Sequence, residues 1–85
     1  MSPNSKSSLL ISNIIKCIDE LKNEFSNDVA LVLKDLIDDF IKTVNDESLY
    51  SLVWHKLTQM GPLKMVSNSA LELTLREFAK KHRGF

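Results

Sequence analysis

Apolar residues recur along this chain at steps of three and four. Ile11, Ile14, Ile18, Leu21 and Phe25 fall on one stripe, bordered by Leu10 and Cys17, and this spacing predicts an amphipathic helix. Ser7 or Ser8 can accept its first amide hydrogens. Ser26, Asn27 and Asp28 form a short polar break with three good capping residues, and a second helix is expected to start there. From Asp28 to Met60 thirty-three residues pass without a glycine or proline, so that second helix is expected to be one long element. Val29, Leu33, Leu36, Phe40 and Val44 make one stripe on it, and Val32, Ile37, Ile41, Leu49, Leu52 and Val53 widen the stripe and carry it around the axis. Asp35, Asp38, Asp39, Lys42 and Asp46 fill the remaining face, with Lys34–Asp38 and Asp38–Lys42 at ion-pair spacing. Gly61 and Pro62 end the helix. Leu63 to Val66 is expected to be extended, and Ser69 with Glu72 reads as a capping box that opens a third helix with Leu71, Leu75, Phe78 and His82 on one face.

Short helix, long helix, short helix is the outline of a histone fold. The expected fold is therefore all-α, with residues 1–7 a disordered leader and residues 8–85 a single domain. An apolar surface that runs so far around a thirty-residue helix is too broad for two short neighbours to cover. The outline thus predicts half of an obligate dimer, clasped through Leu33, Ile37, Phe40, Ile41 and Val44 of the long helix and Leu75 and Phe78 of the third.

Composition narrows the function without naming it. The chain has 85 residues, 44% apolar and 26% charged, with no net charge, which suits one globular domain. No apolar run approaches the roughly 18 to 20 residues that cross a bilayer. Met1 to Ser8 is polar with a single lysine and does not read as a secretory signal or transit peptide, so a soluble intracellular protein is expected. Charge is unevenly spread. Asp28, Asp35, Asp38, Asp39, Asp46 and Glu47 outweigh Lys34, Lys42 and Lys56 in the middle, whereas Lys64, Arg76, Lys80, Lys81 and Arg83 outweigh Glu72 and Glu77 towards the end. A solvated acidic face and a basic complement to a helix carbonyl end account for this. The alternative is a basic patch of Lys64, Lys80, Lys81 and Arg83 that touches phosphate.

Catalytic chemistry has little to stand on. Two glycines make no phosphate-cradling loop, and His55 and His82 lie far apart with no carboxylate at ligand spacing. Cys17 is the lone cysteine; it has no disulfide partner and too few companions for zinc, and suits a buried core thiol. No enzyme activity, cofactor or metal is expected. Tyr50 and Trp54, four apart, suit core packing or an interface anchor.

Phe40-Ile41-Lys42-Thr43-Val44-Asn45-Asp46-Glu47-Ser48 resembles the segment of the centromere protein W family in which a phenylalanine and a valine precede a Glu-Glu-Ser triplet. Met65 to Gly84 is similar, without a gap, to the last twenty residues of vertebrate members, which end in Lys-Lys-x-Arg-Gly, here Lys80-Lys81-His82-Arg83-Gly84. The chain departs from the family in two places, since the segment between Ser48 and Met65 is several residues longer and the strongly basic amino-terminal arm of vertebrate members is missing, and its Asn/Lys/Ile-rich usage fits a divergent, fungal-like member. The resemblance implies a nuclear, inner-kinetochore subunit at the centromere that pairs with a centromere protein T-like histone fold. It also implies assembly with a centromere protein S and X-like pair through Tyr50, Trp54, His55 and Leu71, and sequence-independent contact with DNA. Asp28-Val29, Asp38-Asp39-Phe40-Ile41 and Val44 also resemble the central helix of histone-fold subunits of the coactivators TFIID and SAGA. An unrelated small helical-bundle binding protein is the third expectation.

Overall fold

The computed structural model describes residues 5–85, the side chain of Ser5 excepted. Among the described residues there are five helices and no strand. α1 spans Ser5–Asn23, α2 Asn27–Thr43, α3 Glu47–Thr58, α4 Pro62–Met65 and α5 Ser69–Arg83. α1 and α2 pack on each other, α5 lies against α2, and α3 closes the bundle against α1 and α5. The all-α expectation holds. Of the expected leader, residues 1–4 lie outside the described residues, and residues 5–7 already belong to α1.

The expected long helix is two helices. Val44 and Asp46 are extended, with ψ 129° and ψ 115°, and α3 restarts at Glu47. Asn45, Asp46, Glu47 and Ser48 are four polar residues in a row between Val44 and Leu49, and asparagine and aspartate favour caps over helix interiors because their side chains compete for nearby amides. Asp46 Oδ1 accepts the Ser48 amide at 2.9 Å, the Ser48 hydroxyl at 2.9 Å and the Leu49 amide at 3.4 Å. Ser48's hydroxyl, and then the Leu49 amide, hold this carboxylate below its usual pKa. Proline or glycine was not needed to stop the helix; a strong cap was enough.

The break lets the chain enclose its own core. Leu33, Ile37, Phe40, Tyr50, Val53, Leu57, Leu71 and Phe78 are all fully buried, and Ile14, Ile18 and Leu21 of α1 join them. Phe40 meets Tyr50 at 4.8 Å between ring centroids and Phe78 at 5.8 Å, and Tyr50 stacks on Phe78 at 4.9 Å. These aromatic contacts sew α2, α3 and α5 together across the break, and each such pair adds about 0.5–1.5 kcal/mol beyond the area it buries. The α1 stripe is oriented as its spacing predicts, with Ile11, Cys17 and Leu10 buried and Phe25 half-buried against the core.

Smaller expectations shift for local reasons. Leu63 to Val66 is not extended: Pro62–Met65 forms one helical turn, led by Gly61 at φ 90°, a left-handed backbone that glycine tolerates. The cap of α5 is Asn68, which accepts the Leu71 amide at 3.0 Å, so Ser69 is the first helical residue and not the cap. At the start of α2 the cap is Ser26, bonded to the Val29 amide. Asp38 pairs with Lys34 at 2.7 Å and also accepts the Thr74 hydroxyl at 3.1 Å. Among the described residues it makes no ion pair with Lys42.

The Tyr50 hydroxyl is buried without a hydrogen-bond partner among the described residues, and burial pushes its pKa up. An unmade hydrogen bond of this kind costs about 1–3 kcal/mol. Tyr50→Phe is therefore expected to raise the urea midpoint, by up to about 1 kcal/mol in equilibrium unfolding. A fall in the midpoint would mean that the hydroxyl has a partner. The lowered pKa of Asp46 gives a second expectation. Its contribution is fully present above the unfolded-state value, and is lost as pH falls from about 4 through the lower folded value. Asp46→Asn keeps an oxygen acceptor but no titrating group, so its stability is expected to fall less than the parent's across that acid window, as followed by urea melts at successive pH values.

Candidate interaction surfaces

The five-helix packing sorts the predicted interface residues into two sets. Leu33, Ile37, Phe40, Val44, Leu75 and Phe78 are buried inside the chain, and only Ile41 of that group is half-buried. As the chain is folded here, these side chains form its own core and offer nothing to a partner. In this conformation the residues expected to form a heterodimer clasp serve the chain's own core, because α3 folds back over the surface that a partner was expected to cover. Tyr50 and Leu71, expected to build higher-order contacts, are likewise fully buried. Trp54 is half-buried and His55 exposed.

Around Trp54 the surface is apolar and concave. Trp54 of α3, Met65 of α4, Val66, and Leu75 and Ala79 of α5 line an open groove of 170 Å³, with Glu72 and Arg76 at its edge. Glu72 and Arg76 pair at 3.0 Å, one helical turn apart. The Trp54 indole lies nearly parallel to the Phe78 ring at 6.2 Å, which fixes the groove floor to the core. Leu63 and Val66 are 81% and 52% exposed, more than such side chains need for packing. Sequence reasoning singled out Trp54 but missed Met65, Val66 and Arg76. The signal available was Pro62-Leu63-Lys64-Met65-Val66, four apolar residues in five around a helix-starting proline.

The basic residues do not act as one patch. Lys64 Nζ donates to the backbone carbonyl of Lys22, in the last turn of α1, and Lys81 Nζ donates to that of Ile41, near the end of α2, at 2.7 Å. Each lysine therefore serves a helix terminus whose last carbonyls have no partner within the helix, where a cation also meets the negative end of the dipole. Lys81 lies in addition 5.6 Å above the Tyr50 ring. Lys80 and Arg83 are exposed on α5. Of the four predicted phosphate contacts, the structure leaves two with ammonium or guanidinium groups turned to solvent and gives the other two structural duties.

The remaining chemistry is sparse. Ser51 Oγ and His82 Nε2 lie 3.2 Å apart, the spacing of a nucleophile and its base, and the pair was not foreseen because thirty-one residues separate the two in sequence. His82 packs on Trp54 at 6.1 Å, and no carboxylate orients it among the described residues, so the third member of a triad is missing. Cys17 is buried on α1; burial, with a smaller push from the charge of Glu20, raises its pKa and keeps it a thiol. Among the described residues no group of three His, Cys, Asp or Glu side chains is placed to hold a metal ion. No described helix is long and apolar enough to cross a membrane.

No protein-family model, curated protein or solved structure matches this chain at a significant level.

The two kinds of lysine can be told apart by charge reversal. Lys81→Glu is expected to cost about 1–2 kcal/mol of stability in urea unfolding, because it removes a charged hydrogen bond and leaves a helix carbonyl unpaired. The Lys80→Glu/Arg83→Glu double variant is expected to unfold like the parent, while changing any retention on duplex DNA in a low-salt shift assay. Equal destabilisation by both would contradict the division of labour.

Proposed function

We propose that this protein is a non-enzymatic interaction subunit that works by presenting a surface to another protein. The observation that carries this reading is the apolar groove of Trp54, Met65, Val66 and Leu75 with the exposed Leu63 and Val66 beside it, edged by the Glu72–Arg76 pair. Tryptophan and arginine are the residue types on which binding energy concentrates. The poverty of convergent polar groups elsewhere is consistent with binding rather than catalysis.

A more specific reading follows from the resemblance to centromere protein W, whose tail-like segment Met65–Gly84 corresponds here to the end of α4 and α5. In that reading the chain is an inner-kinetochore subunit of the nucleus that joins a centromere protein T-like histone fold. Lys80 and Arg83 then contribute sequence-independent, salt-sensitive contacts with phosphate. It requires α2 and α3 to straighten into one helix and the core to open, so that Leu33, Ile37, Phe40, Ile41, Val44, Leu75 and Phe78 are transferred from self-contact to the partner. The coactivator reading requires the same opening; the small-bundle reading requires none.

Affinity purification of the tagged chain from nuclear extract, compared with Leu63→Asp and Val66→Asp variants, tests the proposal. Both substitutions are at exposed positions and should leave thermal unfolding unchanged. The expected result is a stoichiometric partner that both variants lose. A centromere protein T-like chain, held through the opened core, would be retained by both variants and would support the kinetochore assignment over the groove. A partner retained at full yield by both variants would reject the groove as the binding surface.

A further inference from the structure

α2 and α3 are two stretches of helix interrupted by three residues that have no fixed need to be a loop. From Asp28 to Met60 there is neither glycine nor proline, and no residue of the interruption has a left-handed backbone. Nothing in Val44, Asn45 or Asp46 forbids a helix; asparagine and aspartate only disfavour one, by less than about 1 kcal/mol each. Two things hold the break open. One is local, the Asp46 cap on the Ser48 and Leu49 amides. The other is the Phe40–Tyr50–Phe78 cluster, and that cluster does not depend on all its rings coming from one chain.

This hinge is the one covalent link between two halves that otherwise meet by packing, α5 against α2 and α3 against α1. α1 with α2 is one, and α3 with α4 and α5 is the other. They are complementary in apolar surface and in polar detail: Thr74 donates to Asp38, Asn68 to Asn27 and Lys64 to the Lys22 carbonyl, all from the second piece to the first. A second copy of the chain offers the same complement, so each contact can be made between copies without any change of sequence. An unrelated chain would have to reproduce all of it.

We propose that this protein pairs with a second copy of itself by exchanging these pieces. The hinge straightens, Asn27 to Thr58 becomes one helix, and α1–α2 of each copy closes on α3–α5 of the other. On a continuous helix Phe40 and Tyr50 are ten residues apart, about 15 Å along the axis, so their 4.8 Å ring contact is remade between copies. The last carbonyls of α2 and the first amides of α3, which lack helical partners at an interruption, bond each other. Lys81 gives up the Ile41 carbonyl to the amide of Asn45, and Asp46 gives up its cap. Exchange of an identical element is a low-cost route to a dimer because the interface already exists within one chain.

The test uses the full purified chain, with mass measured by light scattering across a concentration series up to about 1 mM. Glu47→Pro is the diagnostic variant. Glu47 is the first residue of α3 and follows an extended Asp46, which is where proline is accepted, whereas in a merged helix its ring would clash with the Thr43 carbonyl. Two glycines inserted between Asn45 and Asp46 serve the same end by lengthening the hinge. The opposite variant, Asn45→Ala/Asp46→Ala, removes the cap and raises helix propensity.

The expected result is a concentration-dependent dimer for the parent and at least about tenfold tighter dimerisation for the double-alanine variant. Glu47→Pro and the glycine insertion are expected to stay monomeric, with the parent's helix content. A parent and a double-alanine variant that both remain folded monomers throughout would overturn the proposal. So would a dimer that persists undiminished in whichever hinge-locking variant folds, since it would be a surface association without exchange.

Discussion

The contact between Phe40 and Tyr50 governs this fold. Their rings meet at 4.8 Å although ten residues separate them, a proximity that a straight helix cannot provide. The break at Val44–Asp46 is the condition for that contact, and the contact is the return on the break. Once α3 turns back, Tyr50 reaches Phe78 and the aromatic cluster joins three helices at the point where the hinge would otherwise be loose. Burial of Leu33, Ile37, Val53 and Leu57 follows from the same reversal.

Polar groups secure this closure chiefly at helix ends. Lys64 and Lys81 donate to carbonyls in the terminal turns of α1 and α2, and Asn68 both caps α5 and donates to Asn27 at the start of α2. Such bonds add modest stability individually, about 0.5–1.5 kcal/mol for a neutral pair, but they fix which helix end meets which. The binding surface inherits its rigidity from them: Trp54 rests on Phe78, and Met65 and Val66 are carried by the short turn that Lys64 ties to α1.

Much of this was legible in the amino-acid sequence. The α1 stripe, the polar break before α2 and the amphipathic α5 follow from periodicity and capping chemistry, but the ends shift: Ser7 and Ser8 lie inside α1, α3 ends at Thr58 before Gly61 and Pro62 open α4, and Asn68 rather than Ser69 caps α5. The break was misread because absence of glycine and proline was given more weight than the run Asn45-Asp46-Glu47-Ser48, whose cap geometry is as effective a stop. Leu33, Ile37, Phe40 and Phe78 have the same apolar character whether the surface that covers them comes from the same chain or another, so periodicity alone does not separate a core from an interface. The basic residues were harder. Nothing local distinguishes Lys81, which reaches back forty residues to Ile41, from Lys80, which reaches solvent, and the groove around Trp54 exists only once α3, α4 and α5 are brought together.

The account stands on the reversal of the chain between α2 and α3, and nuclear magnetic resonance of a dilute, monomeric sample reads it directly. Backbone chemical shifts at Val44, Asn45 and Asp46 are expected to be extended, with helical values on either side, and Phe40 and Tyr50 ring protons are expected to show a through-space contact within one chain. Helical shifts without interruption from Asn27 to Thr58, with no such contact in the monomer, would contradict it.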